Sequence, residues 1–306
     1  MNTMTDTDAR EPIEVLATTL AITRIKKRGL SQPDRVQALL TSGDPDQVLT
    51  QLTGPILLGD PLLDQARHDI ENWTDQGIRM VTVLSDQYPT RLRDVREAPA
   101  ILYYEGNLLP ADQGVCVVGS RDADADGLKV ASYVSHALVE AGLTVVSGLA
   151  AGVDAVAHTS ALEAAGRTVA VMGTGLDRTY PRINTDLRTR ITDSGGLVMT
   201  QFEPGTNVTR AGFPMRNAVM SGYGITTFVV VASEHSGTRT QATNAVKHGR
   251  GVIVSRRVAR DTSWGQEMVH SGEAFVADSV TDVLTHVRAL QAERAEAEAL
   301  LREFVA

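Results

Sequence analysis

The sequence predicts an α/β protein built on a doubly wound, largely parallel sheet, with a small helical domain before it and a long helix after it. Three observations predict this. From residue 114 onward, short and almost wholly apolar runs such as Val115-Cys-Val-Val118 and Phe228-Val-Val-Val-Ala232 alternate with amphipathic segments, as a sheet buried on both faces requires. Several of these runs end in glycine, which lets the backbone turn tightly into a following helix. The first 76 residues instead carry apolar residues at helical spacing.

The elements follow in order. Ile13, Leu16, Leu20 and Ile22, then Val36, Leu39 and Leu40, then Val48, Leu49 and Leu52 mark short helices between residues 12 and 76. Ser31 before Gln32-Pro33 and Asp60 before Pro61 read as N-caps with proline in the first turn. Arg79–Leu84 has strand character, Tyr88-Pro89 punctuates, and Ile101–Tyr104 before Glu105-Gly-Asn107 reads as a second short strand. Next come a strand at Val115–Val118 into Gly119-Ser120-Arg121, a helix through Val130, Val134 and Leu138, and a strand at Thr144–Val146 into Gly148. A helix from Asp154, a strand at Thr168–Met172 into Gly173-Thr-Gly175, a helix near 184–194 and strands at Leu197–Met199, Thr226–Val231 and Gly251–Val254 complete the alternation. Val283, Leu284, Val287 and Leu290, then Leu300, Leu301, Phe304 and Val305, flank a polar centre and predict one long helix. The expected organisation is a helical domain at 1–78, a connecting segment at 79–107, the sheet domain at 108–280 and the C-terminal helix at 281–306.

Composition excludes several classes of function. No apolar run approaches the roughly 20 residues needed to cross a bilayer, and the first twelve residues are polar and acidic rather than signal-like. Cys116 is the only cysteine, so an internal disulfide is impossible and zinc clusters lack ligands. The reading is a cytoplasmic protein with no membrane contact, no metal and no cofactor. A net charge of −8 argues against a uniformly basic binder. The charge is uneven, however: residues 167–260 hold 13 Lys and Arg against 5 Asp and Glu, enough for a local field that attracts anions.

In a sheet of this kind ligands bind beyond the carboxyl ends of the strands, where glycine turns and helix N-termini present unpaired N–H groups. The turns at Gly119-Ser120-Arg121, at Ser147-Gly148 through Gly152-Val-Asp154 and at Gly173-Thr-Gly175 all fall on that edge. Neither the dinucleotide fingerprint G-x-G-x-x-G after the first of these strands nor a P-loop occurs, which disfavours nicotinamide and ATP enzymes. Arg121 is placed to add charge-assisted hydrogen bonds to a phosphate, its alternative being an ion pair with Asp122 or Asp124. Arg182 follows Tyr180-Pro181, and Arg210 precedes Phe213 by three residues. Cations near an aromatic suit single-stranded nucleic acid, the cation holding a phosphate while the ring stacks on a base. Taken alone, Phe213 reads as a core residue.

These residues carry a family resemblance. Tyr88-Pro-Thr-Arg-Leu92 with Pro99, Val117-Val-Gly-Ser-Arg121, Val146-Ser-Gly-Leu-Ala150 through Asp154 and His158, Gly173-Thr-Gly-Leu-Asp177 with Tyr180-Pro181 and Asn184, Phe213-Pro-Met-Arg-Asn217, and Ser236-Gly237 leading to Gly249-Arg250 occur in one order. Together they resemble the DNA-processing protein A (DprA/Smf) family, over more than half the chain. The resemblance implies an extended Rossmann-like domain that binds single-stranded DNA without bond chemistry, protects it during natural transformation, helps load a RecA-type recombinase and forms a homodimer. It further implies DNA contacts at Gly119, Ser120, Arg121, Gly148, Arg182, Arg210, Phe213, Arg216 and Asn217, with Asp154 and His158 as braces of the loop. The chain departs from the family pattern in four places, one being the Ser-Gly-Ser segment and its following Thr-Ala, which read Ser236-Gly-Thr-Arg-Thr-Gln-Ala242. Ala218 stands where a second arginine usually follows Arg216-Asn217, Thr200-Gln201 replaces the usual Ser-Glu pair, and Ser255-Arg256-Arg257 replaces the Pro-Gly after the last strand. No winged-helix-like domain is expected after Ala306.

Two rival classes remain at this level. A nucleotide sensor would use the same strand edge. A nucleoside-monophosphate phosphoribohydrolase would need a Pro-Gly-Gly turn and a catalytic glutamate, whereas this chain reads Glu234-His-Ser-Gly-Thr238.

Overall fold

The structure, a computed structural model, describes residues 11–55 and 60–305. The N-terminal helices are α1 (Ile13–Arg24), α2 (Gln32–Ser42), α3 (Pro45–Thr53) and α4 (Pro61–Asp75). Their starts are chemically fixed. Ser31 and Asp34 form a reciprocal capping box at α2, and the Asp60 carboxylate accepts the Leu62 N–H at 2.9 Å at α4. Then follow β1 (Arg79–Thr82), α5 (Thr90–Arg93), β2 (Ile101–Gly106), β3 (Gly114–Val118), α6 (Ala125–Glu140), β4 (Thr144–Ser147), α7 (Val153–Glu163) and β5 (Thr168–Val171). A short 3-10 helix (Arg182–Asn184) leads to α8 (Thr185–Asp193), β6 (Leu197–Thr200), α9 (Gly212–Tyr223), β7 (Thr226–Val229), α10 (Gly237–Lys247) and β8 (Gly251–Ser255). The chain closes with α11 (Arg256–Asp261), α12 (Ser263–His270), β9 (Phe275–Ala277) and α13 (Val280–Val305).

One nine-stranded sheet has the order β1-β2-β6-β5-β4-β3-β7-β8-β9. The pairs β1–β2 and β2–β6 are antiparallel and the rest are parallel. The period-two geometry of a strand sorts each apolar run between two cores. Val115 and Val117 of β3 pack with α6, α7 and α13, whereas Cys116 and Val118 face the core that includes Tyr223, Ala242 and Trp264. Successive strands run outward from β3 in both directions, so the order reverses between β3 and β7. Such a switch point opens a crevice at the carboxyl ends of the strands.

The doubly wound sheet, the N-terminal helices and the long final helix are the predicted architecture. The structure adds what the pattern did not reveal. Segment 79–107 contributes two strands to the same sheet, and the cores of the N-terminal helices are continuous with it through Ile22, Leu39, Val81 and Leu102. The short elements α5, α11, α12 and β9 are not marked in the sequence, since runs of three to eight residues carry too little periodicity to register.

Candidate nucleic-acid interface

At the switch point, the ends of β3, β4 and β5 meet the first turns of α7, α9 and α10 around a two-lobed cleft. The inner lobe, about 290 Å³, is lined by Gly119, Ser120, Asp154, Asn217, Ser236 and Gln241 among others. The outer lobe, about 140 Å³, is lined by Gly148, Gly173, Thr174, Tyr180 and Pro181. Arg121, Ala150, Phe213 and Arg216 line both.

Backbone proximity builds the inner wall. Ser120 N–H donates to Val231 O at 2.9 Å and Ser120 O accepts from Val153 N–H at 3.2 Å, joining the end of β3 to the end of β7 and the start of α7. Gly152 has φ +75°, and a Cβ there would lie 2.4 Å from Arg121 O, so only glycine lets α7 nest against this turn. The next turn is held from three sides. The Asp154 carboxylate accepts the N–H groups of Gly148 (3.2 Å) and Ala150 (3.3 Å), the Asn184 amide donates to Leu149 O (2.9 Å) and Ala150 O (3.1 Å), and Arg216 Nη1 donates to Gly148 O (2.6 Å) and Val171 O (3.0 Å). These bonds fix Leu149 at φ +55°, a conformation L-residues seldom adopt.

Arg216 is therefore a buried brace, 6% exposed, rather than a rim cation. Burial pulls its pKa below the ordinary arginine value; nearby Asp154 opposes this and Arg121 adds to it. Burial pushes the Asp154 carboxyl upward, against the pull of Arg216 and the two N–H donors. Two guanidinium groups thus face one cleft and repel each other, a field that an incoming phosphate relieves. Asn217 likewise braces, its amide donating to Gly237 O at 3.2 Å.

Arg121 is exposed and pairs with neither Asp122 nor Asp124. Asp124 instead caps α6 through Gly127 N–H at 3.0 Å and pairs with Arg257 at 2.7 Å. The Arg121 guanidinium carbon lies 4.7 Å from the centroid of the Phe213 ring, and the Tyr180 ring lies 6.1 Å from it on centroids. Phe213 is half-buried at the first turn of α9 and lines the cleft with its ring against Gly173, where its side chain taken alone reads as a core residue. Arg182 and Arg210 are exposed, have no partner among the described residues and lie outside the cleft walls, on the segments that carry Tyr180 and Phe213 to it. The basic middle of the sequence overstates the field, since Arg167, Arg178, Arg188, Arg256, Arg257 and Arg260 are all tied to carboxylates.

His158 braces a strand rather than the loop. It is buried with Nδ1 2.7 Å from Thr168 Oγ1, whose own hydroxyl donates to Val145 O, so Nδ1 carries the proton. Burial lowers its pKa to about 3, with Arg216 adding to the shift. Among the described residues no group of three or more His, Cys, Asp or Glu side chains is arranged to hold a metal ion, and no helix is long and apolar enough to cross a membrane. Sequence reasoning missed Tyr180 as a neighbour of Phe213, along with Thr174, Thr238 and Gln241. The aromatic before Pro181 was the available signal for the first; polar residues in first turns carry none.

The sequence profile of the family described as DNA recombination-mediator protein A matches residues 79–288. The DNA processing protein DprA of Streptococcus pneumoniae is 39% identical over 173 residues, covering 56% of this chain and 61% of that protein. Protein Smf of Synechocystis is 36% identical over 189 residues, covering 60% of this chain and 47% of its own length. The chain thus spans about half to three-fifths of the curated relatives it matches. The X-ray structure of DNA processing protein A from Streptococcus pneumoniae superimposes with a TM-score of 0.69 at 29% identity, covering 90% of this chain and 98% of that one. The DNA processing protein A of Helicobacter pylori, solved for its single-stranded DNA binding mode, superimposes at 0.61 with 22% identity, covering 70% and 96%; this likeness shows the fold alone.

Proposed function

This chain belongs to the DNA recombination-mediator protein A family, and from that premise we propose that it binds single-stranded DNA along the Arg121–Phe213 cleft. The observation that carries the reading is the meeting of three distant segments at one ring: Arg121 over Phe213, Tyr180 beside it, and the exposed Arg182 and Arg210 on the same two segments. Backbone phosphates are held by Arg121 at the Gly119-Ser120 turn and by Arg182 and Arg210 outside it, while Phe213 and Tyr180 take bases. Gly148, Arg216 and Asn217 keep the turns open rather than gripping DNA. The buried Asp154, Arg216 and Asn217 side chains of the cleft brace its turns, which supports a protein that acts by binding rather than by bond chemistry. In the cytoplasm it protects exposed single strands as a homodimer and assists a RecA-type recombinase.

Fluorescence anisotropy with single-stranded, duplex and mononucleotide ligands at two salt concentrations tests this. Single strands bind most tightly and weaken as salt rises. Tight mononucleotide binding without oligonucleotide binding would select a nucleotide sensor instead.

A further inference from the structure

A cavity of about 590 Å³ lies beside the DNA cleft, between the N-terminal helices and the loop that follows β6. Its walls are apolar: Pro99, Ile101, Phe202, Pro204, Met215 and Ala218. Polar groups interrupt them, among them two large side chains without partners among the described residues. The Tyr103 hydroxyl is one; its ring, 2% exposed, is fixed edge-on against Trp73 at 5.5 Å. The Gln201 carboxamide is the other: its Nε2 is buried and makes no hydrogen bond, and its Oε1 makes none either.

The charges at the cavity are acidic or already taken. Glu97 bonds His248 Nε2 at 2.9 Å, Glu203 accepts from Arg24 at 2.7 Å, and Arg24 also pairs with Asp69 at 2.7 Å. Among the described residues no cation lines the cavity, so it repels phosphate. An unpaired carboxamide offers one donor and one acceptor side by side, the complement of an aminopurine edge that presents an amino group beside a ring nitrogen. The apolar part of the lining suits the ring faces.

We propose that this cavity binds an adenine-type base without a phosphate, with Gln201 reading its amino edge and Tyr103 supplying a further hydrogen bond. The site shares a helical turn with the DNA cleft: on α9 Met215 lines the cavity, while Phe213 and Arg216 line the cleft. The loop between them is common too, Gly175 N–H donating to Thr206 O at 3.3 Å. Occupancy is therefore felt at the cleft. The base is either a free nucleoside or an adenine of a bound strand, and only this regulatory sense rests on the DNA reading.

Isothermal titration of the full chain with adenosine, inosine and adenosine monophosphate tests the proposal, with oligodeoxyadenylate and oligodeoxythymidylate run in parallel. Adenosine should bind at least tenfold more tightly than inosine, which lacks the amino group, and than the monophosphate. Gln201→Leu and the conservative Gln201→Glu should each weaken adenosine at least tenfold while leaving oligodeoxythymidylate affinity unchanged. If free adenosine does not bind but the adenine oligomer outbinds the thymine oligomer in a Gln201-dependent way, the strand is the source. Equal binding of inosine and adenosine, or no adenine preference in either arm, overturns the proposal. Failure of all oligonucleotides would sink the DNA reading while leaving the adenosine arm decisive.

Discussion

The guanidinium of Arg121 stacks on the ring of Phe213 at 4.7 Å, although the first follows β3 and the second opens α9, far along the chain. The aromatic thus pre-positions the cation, and a phosphate meets a guanidinium whose rotamer freedom is already spent. One face of Phe213 is covered in this arrangement. A base that stacks on the ring either uses the other face or takes the place of Arg121.

Arg121→Ala should weaken every single-stranded oligonucleotide to a similar degree. The slope of log affinity against log salt should flatten by about 0.7, because the variant neutralises one phosphate fewer. Anisotropy titrations at several salt concentrations check this, and an unchanged slope would remove Arg121 from the interface.

Phe213→Ala should cost about 1–3 kcal/mol of binding with the salt slope kept, because stacking rather than charge is removed. The paired Arg121→Ala, Phe213→Ala variant should lose less than the sum of the two, since each residue also holds the other.

Gly148→Ala should disrupt the cleft from within. An added Cβ would lie 1.5 Å from Arg216 Nη1, displacing the guanidinium from the Gly148 and Val171 carbonyls and leaving a buried charge unbraced. A destabilisation of about 3–5 kcal/mol, typical of breaking a buried charged network, is expected in urea unfolding. A variant as stable as the parent would contradict the bracing role.

Stability should depend on pH through His158. Its folded pKa of about 3 lies below the unfolded value near 6.5, so the unfolded state takes up a proton first as pH falls. The histidine's contribution is complete above pH 6.5 and is lost progressively toward pH 3. Asp154, whose folded pKa is raised by burial, works in the opposite sense above its unfolded value. The difference between parent and His158→Gln isolates the histidine, and identical pH profiles of the two would refute its buried neutral state.

Much of this molecule was legible in its sequence. Alternation of apolar runs with glycine turns located β3, β4, β5 and the cleft edge, because burial on both faces leaves few residue types for a parallel strand. Ser31 and Asp60 marked helix starts because their side chains do local chemistry. Arg216 and Phe213 show where a sequence stops being informative: whether an arginine grips a ligand or two carbonyls, and whether a ring fills the core or a cleft, depends on neighbours far away in the chain. Gly148 and Val171, which hold Arg216, are such neighbours. The strands β1 and β2 are legible in their apolar runs, but their antiparallel place in the main sheet is not, because sheet membership is a non-local property.

The last helix leaves the body near Arg294, and Leu300, Leu301 and Phe304 beyond it stand 59%, 65% and 89% exposed. These turns continue the helix without packing to hold them, so they are the least stable part of α13. Amide protons in the turns sealed by Val283 and Val287 should therefore exchange slowly, and those around Leu300, Leu301 and Phe304 faster, while these three side chains offer an apolar strip that another surface can cover.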